Sequence, residues 1–416
     1  MEKNEVKDLT MYNRRFEEDP SSFNDFQAMD YVRELKNQGK LDEAIEVGRT
    51  FLQVGDHLSL FINQYGYALY NKYINIDEEA IASKENLFFS MVDEICSLCK
   101  HEKYSPVEAT INKAIRYLLN KSDIDYKKIS QLHDKLDPLQ LSSQPFTNNE
   151  GKEFESKREK WYRVKVRSLY ELKDYKECVE VINKAFTQPL KWHGQNLNWM
   201  KYYRASSLVS LKRYEEAEHE FMSLGNRLPH IDSFEILFDL YMNTDRQKEA
   251  YTSLLYKFFI SGYDVNLVSL YEKVLDMVKT NPYQQELISL TSAFVYKLKT
   301  ELNQSVEEFT IDEQYQSLDS SHLYDRLYNL LMDHLDAYIE RYEGSVVYYN
   351  EEKELGSIGV EDADNLFFRQ ADYIYDEDVK KRDVVEYSVM KTYDTKKQMT
   401  TFKAILIKTL YEDINY

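Results

Sequence analysis

A Cys-x-x-Cys pair, Cys96 and Cys99, is the strongest candidate in this sequence for a reactive or metal-binding group. Such a pair can form half of a tetrahedral zinc site or a redox-active disulfide, and His101 lies close by. A structural zinc site needs four ligands, however, and Cys178 is the one remaining cysteine of the chain. On a helix, both cysteines fall on or beside the apolar face marked by Ile95. We therefore predict structural, buried cysteines and no metal or cofactor.

Other patterns that carry chemistry are missing from the sequence. No glycine-rich loop precedes Lys-Ser or Lys-Thr, so no phosphate-binding loop is predicted. There is no Gly-x-Ser-x-Gly nucleophile elbow and no His-Glu-x-x-His metalloprotease helix. We predict that the protein is not an enzyme and has no catalytic residues.

Composition restricts the class of protein further. The 416 residues contain 43% hydrophobic residues, which is enough for packed cores, and only 11 glycines and 7 prolines, which suits long helices. The net charge of −19 repels nucleic acid over most of the surface, so a nucleic-acid site must be local. No apolar run has membrane-spanning length, and no secretory signal is recognisable at the N-terminus. With three cysteines and no disulfide framework, we expect a cytoplasmic protein.

A short signature recurs along the chain and predicts how it folds. It stands at 40–44 (Lys-Leu-Asp-Glu-Ala), 174–178 (Asp-Tyr-Lys-Glu-Cys), 213–217 (Arg-Tyr-Glu-Glu-Ala) and 246–250 (Arg-Gln-Lys-Glu-Ala). Cys178 and Ala217 are 39 positions apart, and Ala217 and Ala250 are 33 apart. A period near 34 is typical of helical hairpins that stack into a solenoid. These positions resemble the tetratricopeptide-repeat (TPR) family, most clearly over 157–229, and the resemblance implies a groove that binds other proteins.

The predicted organisation has four parts. An N-terminal block of helical hairpins covers 1–136, and a loop or hinge rich in Pro, Ser and Asn covers 137–156. TPR-like repeats and an amphipathic linker helix at 321–341 fill 157–342. From 343 to 410, glycines and short alternating segments predict a small five-stranded β-barrel. The predicted fold class is therefore mainly α, a TPR-like solenoid of helical hairpins followed by a barrel of the oligonucleotide/oligosaccharide-binding (OB) type.

The repeat register assigns side chains to the groove of the solenoid. Along the first helices of successive hairpins these are basic (Lys160, Arg163, Arg167), then aromatic (Trp199, Tyr202), then acidic (Asp232, Glu235, Asp239). One interpretation is a clamp, in which the cations bind a carboxylate, a phosphate or an acidic helix and the aromatics bind an apolar anchor. The alternative is a solvated face whose charges pair with neighbours such as Glu159 or Glu171.

The C-terminal segment carries four motifs in the order of the cold-shock domain. They are 344–350 (Gly-Ser-Val-Val-Tyr-Tyr-Asn), 353–358 (Lys-Glu-Leu-Gly-Ser-Ile), 365–369 (Asn-Leu-Phe-Phe-Arg) and 383–389 (Asp-Val-Val-Glu-Tyr-Ser-Val). The segment is similar to that family, whose members bind single strands on exposed aromatics. The resemblance implies a nucleic-acid site at Tyr348, Tyr349, Phe367 and Arg369. Leu355 and Ser357 stand where the family has two further aromatics.

Two functions follow from these features. The first is a non-catalytic adaptor, whose helical groove holds a protein partner and whose barrel binds RNA or single-stranded DNA. The second is a protein-only scaffold in a multi-protein stress or defence complex, with the barrel used for docking or self-association. Neither function involves a membrane.

Overall fold

The structure is a computed structural model that describes residues 8–225, 227–228, 231–307, 309, 311–360, 364–375 and 379–410. These residues contain eighteen α-helices followed by a closed five-stranded β-barrel, which confirms the predicted fold class at the level of helical hairpins and a barrel. The chain divides into two compact units, 1–203 and 204–416. Within the described residues, no helix has the length and apolarity needed to cross a bilayer.

The first unit consists of helical hairpins. Its helices are α1 (Thr10–Glu18), α2 (Asp25–Asn37), α3 (Leu41–Phe51), α4 (Ser59–Leu69), α5 (Glu78–Ser83), α6 (Glu85–Leu98), α7 (Val107–Leu119), α8 (Tyr126–His133), α9 (Lys157–Glu171) and α10 (Tyr175–Phe186). Helix α11 (Asn196–Ser210) contains the boundary between the units. A continuous apolar core runs through this unit from Leu9 to Met200. The predicted loop at 137–156 contains a two-stranded hairpin, β1 (Phe146–Thr147) and β2 (Glu153–Phe154).

The recurring signature has a conformational origin. In each copy, the residue two positions before the second helix has a positive φ: Gly39 (78°), Lys173 (61°), Lys212 (59°) and Asp245 (56°). A left-handed residue at this point ends the first helix and turns the chain back for the second. Acidic residues then occupy the first turn of the following helix, where its N-terminal dipole favours them. The period therefore reflects a repeated αα-turn.

The second unit continues with seven helices. They are α12 (Tyr214–Leu224), α13 (Ser233–Met242), α14 (Gln247–Ser261), α15 (Val268–Lys279), α16 (Gln285–Glu301), α17 (Glu313–Gln316) and α18 (Ser320–Asp333). The amphipathic helix predicted to reach 341 ends earlier. At His334 the backbone leaves the helical region (φ −124°), and a 3₁₀ turn follows at Leu335–Ala337. Burial of Leu335 stabilises this turn, which leads the chain into the barrel.

The barrel is formed by β3 (Tyr342–Asn350), β4 (Leu355–Gly359), β5 (Leu366–Arg369), β6 (Val384–Asp394) and β7 (Met399–Thr409). Their order is β3-β4-β5-β7-β6, closed by the pairing of β6 with β3. All pairs are antiparallel except β5 with β7.

Close packing in the core of the barrel requires the glycine of the second barrel motif (353–358). Buried Val346, Ile358 and Phe368 form part of that core. A Cβ atom on Gly356 would lie 2.5 Å from both the ring of Phe368 and the carbonyl oxygen of Tyr348. Only glycine fits this position without displacing backbone.

Candidate functional site

The cysteines have no reactive environment. Cys99 is buried and its thiol lies 3.6 Å from the carbonyl oxygen of Ile62. Burial raises the pKa of Cys96 to about 11 and that of Cys99 to about 12, so both remain thiols at neutral pH. Among the described residues, no group of three His, Cys, Asp or Glu side chains is placed to hold a metal ion.

The three predicted cations lie on α9 in different environments. Arg163 forms a forked ion pair with Glu155, with Nε and Nη2 at 2.9 and 2.6 Å from the carboxylate oxygens. Arg167 is exposed, with its Nε 4.0 Å from Glu171, and such an exposed pair contributes little binding energy. Lys160 is partly buried, which lowers its pKa. Arg167 is therefore the cation most available to a partner.

A buried polar network beside these cations was not predicted. Glu159 is fully buried and its carboxylate lies 2.8 Å from both the backbone N and Nδ1 of His193. Asn196 donates to Glu159 at 2.8 Å and to Glu155 at 3.2 Å. The hydrogen bond to Glu159 raises the pKa of His193. These contacts hold the start of α11 against α9, next to the predicted cations.

The aromatic residues predicted for the groove belong to a larger cluster. Trp199 and Tyr202 meet edge-to-face with ring centroids 5.7 Å apart. Tyr203 lies 5.9 Å from Trp199 and 4.9 Å from Tyr170, two centroid distances that extend the cluster from α11 to α9. Burial raises the pKa of Tyr203, and nearby Arg167 opposes this effect. The structure thus places Arg167 near Tyr203, whose ring is in contact with the predicted aromatics Trp199 and Tyr202.

Sequence reasoning missed Tyr170 and Tyr203. The signal available for Tyr203 was its position next to Tyr202 on the same helix. Their ring centroids lie 5.8 Å apart, so the pair spans a wider face of α11 than Tyr202 alone. Tyr170 was visible only as an aromatic three positions after Arg167 on α9.

The acidic groove positions, in the second unit, have local partners. Asp232 lies 3.4 Å from Lys257, Asp239 lies 3.0 Å from Lys273, and Glu235 accepts a hydrogen bond from Ser269 at 2.9 Å. These three acidic side chains therefore interact with neighbouring side chains of the same unit, as the interpretation of a solvated face with local charge pairs expects.

On the barrel, two predicted aromatics share an exposed surface. Tyr348 pairs with Ser357, and Ser357 pairs with Phe367, so the three side chains form a row across β3, β4 and β5. Tyr348 is 51% exposed and Phe367 41% exposed. Neighbouring strands are about 4.8 Å apart, so the two aromatics are roughly 10 Å apart and leave a slot above Ser357. Arg369, two positions after Phe367, is exposed on the same face.

Tyr349 lies apart from this row. Its ring is parallel to that of Phe368, with centroids 6.2 Å apart, and its hydroxyl donates to Gln370 at 2.7 Å. A β-bulge between Val346 and Tyr348 shifts the alternation of the strand, which places Tyr348 outward and Tyr349 toward the core. Three of the four predicted barrel residues are therefore together on the surface.

No protein-family model matches this sequence, and a search of curated proteins finds no match. Three similar solved structures have 12–14% sequence identity. YrrB, described as a TPR protein with an unusual peptide-binding site, is matched over 59% of this chain and 90% of its own, with a TM-score of 0.21. Naa15/Naa10 bound to HypK-THB is matched over 80% and 50%, with a TM-score of 0.33. The TPR domain of P58(IPK) is matched over 76% and 82%, with a TM-score of 0.26.

This chain thus spans half the length of the matched chain in the Naa15/Naa10 structure. At these TM-scores the matches add nothing to the argument, and the helical-repeat architecture is assigned from the hairpins of this chain.

Proposed function

We propose that the protein is a non-catalytic adaptor whose first unit binds a protein partner on the surface of α9 and α11. The observation that carries this proposal is the aromatic cluster of Trp199, Tyr202 and Tyr203 beside the exposed Arg167. Trp, Tyr and Arg dominate the binding energy of protein interfaces, because they supply large contact areas with a polar end. A basic, aromatic patch on a chain with a net charge of −19 favours a partner with acidic and apolar side chains.

Reversing the charge of Arg167 is expected to weaken capture of the partner. A photo-reactive benzoylphenylalanine at Asn198, next to Trp199, is crosslinked in cells, and the products are identified by mass spectrometry. Arg167→Glu should reduce the crosslinked partner at least about fivefold, since loss of a central interface arginine costs more than about 1 kcal/mol.

The matched control is Lys184→Glu, a charge reversal on the exposed face of α10. The same probe at Tyr283, which is 93% exposed in the second unit, reports non-specific capture. Equal crosslinking in the Arg167 and Lys184 variants contradicts the proposal.

A second proposal concerns the barrel, which we infer binds RNA or single-stranded DNA on Tyr348, Phe367 and Arg369. The row across three adjacent strands supports it, because a base can stack on each exposed ring while the arginine meets a phosphate. The protein-only alternative assigns this face to protein docking.

Phe367→Ala is expected to weaken binding of labelled oligo-uridine or oligo-thymidine by about 1–3 kcal/mol, the contribution of one stacked base. The measurement is fluorescence anisotropy on the full chain. Phe402→Ala is the control, because Phe402 is a similarly exposed aromatic on β7 (54%). Absence of binding at moderate salt, or equal affinity in the two variants, favours the protein-only scaffold.

A further inference from the structure

A cavity of about 220 Å³ lies among α7, α8 and α9 in the first unit. Its walls include the apolar side chains of Ile115, Leu141, Trp161 and Val164. An apolar cavity of about 150 Å³ is large enough to hold benzene, so this one has room for a single large apolar side chain. No residue of the aromatic cluster or of the exposed barrel row lines it.

Part of the lining of this cavity is cationic. Arg116 on α7 and Lys160 on α9 both line it. Among the described residues, neither has a carboxylate within 4.0 Å or a hydrogen-bond partner for its side chain, whereas Lys157, which also lines the cavity, pairs with Glu108 at 2.6 Å. Burial lowers the pKa of Lys160, although Glu155 opposes this, and Arg116 and Arg163 lower it further. Two cations close together without a bound carboxylate favour an anionic ligand.

The part of the lining formed by His133 and Trp161 is uncharged and preformed. His133 is buried, its Nδ1 lies 3.1 Å from the carbonyl oxygen of Ile129, and burial lowers its pKa to about 3, so it is neutral at physiological pH. The carbonyl oxygen of His133 accepts a hydrogen bond from Trp161 Nε1 at 3.2 Å. Because this bond fixes the indole, the apolar wall exists before a ligand binds.

The space next to the cavity indicates a polypeptide ligand. A second, more open cavity of about 770 Å³ also has Lys157 in its lining, together with Tyr104 and Gln140. Tyr104 is 77% exposed, so its ring is available to a ligand in this second cavity. The two cavities together extend well beyond one side chain, so they offer room for residues on either side of an apolar anchor.

We propose that the cavity binds the apolar side chain of an acidic peptide segment, with an adjacent carboxylate on Lys160 and Arg116. The inference rests on the proposed adaptor function in that the ligand is a protein segment, and it adds the chemistry of that segment. It places the anchor on α7–α9, separate from the aromatic cluster on α11.

The test uses the three tryptophans of the chain as separate reporters. The full chain is labelled with 5-fluorotryptophan, and the ¹⁹F resonances of Trp161, Trp192 and Trp199 are assigned with single Trp→Phe variants. The probe is the capped peptide Gly-Ser-Leu-Glu-Asp-Ser-Gly. It is compared with one peptide in which Leu is replaced by Ser and another in which both acids are replaced by their amides.

The leucine–acid peptide is expected to shift the Trp161 resonance saturably, and both altered peptides should not. Lys160→Glu and Arg116→Glu should each weaken this binding at least about tenfold, because a charge-assisted contact becomes repulsive. Lys184→Glu, on the exposed face of α10, should leave it unchanged.

Three results overturn the inference. The first is no shift of Trp161 with the leucine–acid peptide at millimolar concentration. The second is a shift of Trp199 without one of Trp161, which places the peptide on the aromatic cluster and leaves the adaptor function standing. The third is a Trp161 shift with 4-phenylbutyrate but not with the peptide, which makes the cavity a site for a small free acid. The proposed adaptor function is tested separately, by crosslinking from position 198.

Discussion

Replacing Glu218 by alanine is expected to destabilise the second unit by about 3–5 kcal/mol. The side chain of Glu218 on α12 is 1% exposed, and it accepts hydrogen bonds from Tyr241 at 3.0 Å, Arg246 at 2.7 Å and Lys391 at 2.9 Å. Burial works against ionisation, but the hydrogen bonds from Arg246 and Lys391 prevail and lower the pKa of Glu218. Removing the carboxylate therefore leaves the Tyr241 hydroxyl and Lys391 without this buried acceptor, and it leaves Arg246 with Glu249 alone, at 2.9 Å.

The effect is measured by hydrogen exchange with mass spectrometry on peptides from α12, α14 and β6. Tryptophan fluorescence is unsuitable, because all three tryptophans lie in 1–203. Glu216→Ala removes an exposed carboxylate from the same helix, one paired with Arg213 at 2.7 Å, and should cost less than about 1 kcal/mol. Similar losses of protection in the two variants would show that burial of Glu218 has no energetic importance.

Asp372→Ala is expected to lower the free energy of unfolding of the second unit by a similar amount, about 3–5 kcal/mol. Asp372 lies at a second contact between a helix and the barrel. The Asp372 carboxylate is 1% exposed and accepts hydrogen bonds from Tyr256 on α14 at 2.6 Å and from Lys403 on β7 at 2.8 Å. It also accepts the backbone N–H of Arg369 at 2.8 Å, which fixes the end of β5. Loss of the carboxylate leaves the Lys403 ammonium, which is only 14% exposed, without an anion, and it removes the support of that strand.

A double variant distinguishes the effect of removing the whole ion pair from the effect of leaving one charged partner unpaired. Asp372→Leu combined with Lys403→Met replaces both ions with apolar side chains of similar size, and it should be more stable than either single variant. Asp364→Ala, at an exposed position in the barrel, is the control and should change stability by less than about 0.5 kcal/mol. Protection of β5 and β7 in hydrogen exchange provides the measurement, and a double variant less stable than Asp372→Ala contradicts the argument.

These two clusters have a consequence for function. Each joins a helix of the α12–α14 region to a barrel strand, at Glu218 with Lys391 and at Tyr256 with Asp372 and Lys403. Within the second unit the barrel is therefore packed on the helices. Arg369 is the last residue of β5, and Asp372 accepts its backbone N–H, so the stability of this contact is coupled to the geometry of the Tyr348–Phe367 face.

Much of the architecture could be predicted from local patterns in the sequence. The positions of the recurring signature predicted α9, α10, α12 and α14, because a helix end, a left-handed turn residue and an acidic first turn are all local features. The alternating segments likewise predicted the barrel strands. The contact between Trp199 and Tyr202 could be predicted because side chains three or four positions apart share one face of a helix.

The structure differs from the sequence-based predictions where a local pattern was interrupted. Helix α18 ends at Asp333 although apolar side chains continue to Tyr338, because Leu335 and Tyr338 are buried in a different conformation. Tyr349 faces inward because a bulge, which leaves no mark in the alternation, shifts the register of β3.

From its amino-acid order alone, this chain specifies hairpins, a barrel and the residue types along each face, since these depend on neighbours within a few positions. Which charged side chains become buried is settled only by folding. Glu159, Lys165, Glu218 and Asp372 look like ordinary solvated residues in the sequence, yet each is at most 2% exposed. Their partners lie on other elements: Asp134 is 31 positions from Lys165, and Lys391 and Tyr256 are more than a hundred positions from Glu218 and Asp372, respectively. A buried charge is tolerated only where such groups converge on it.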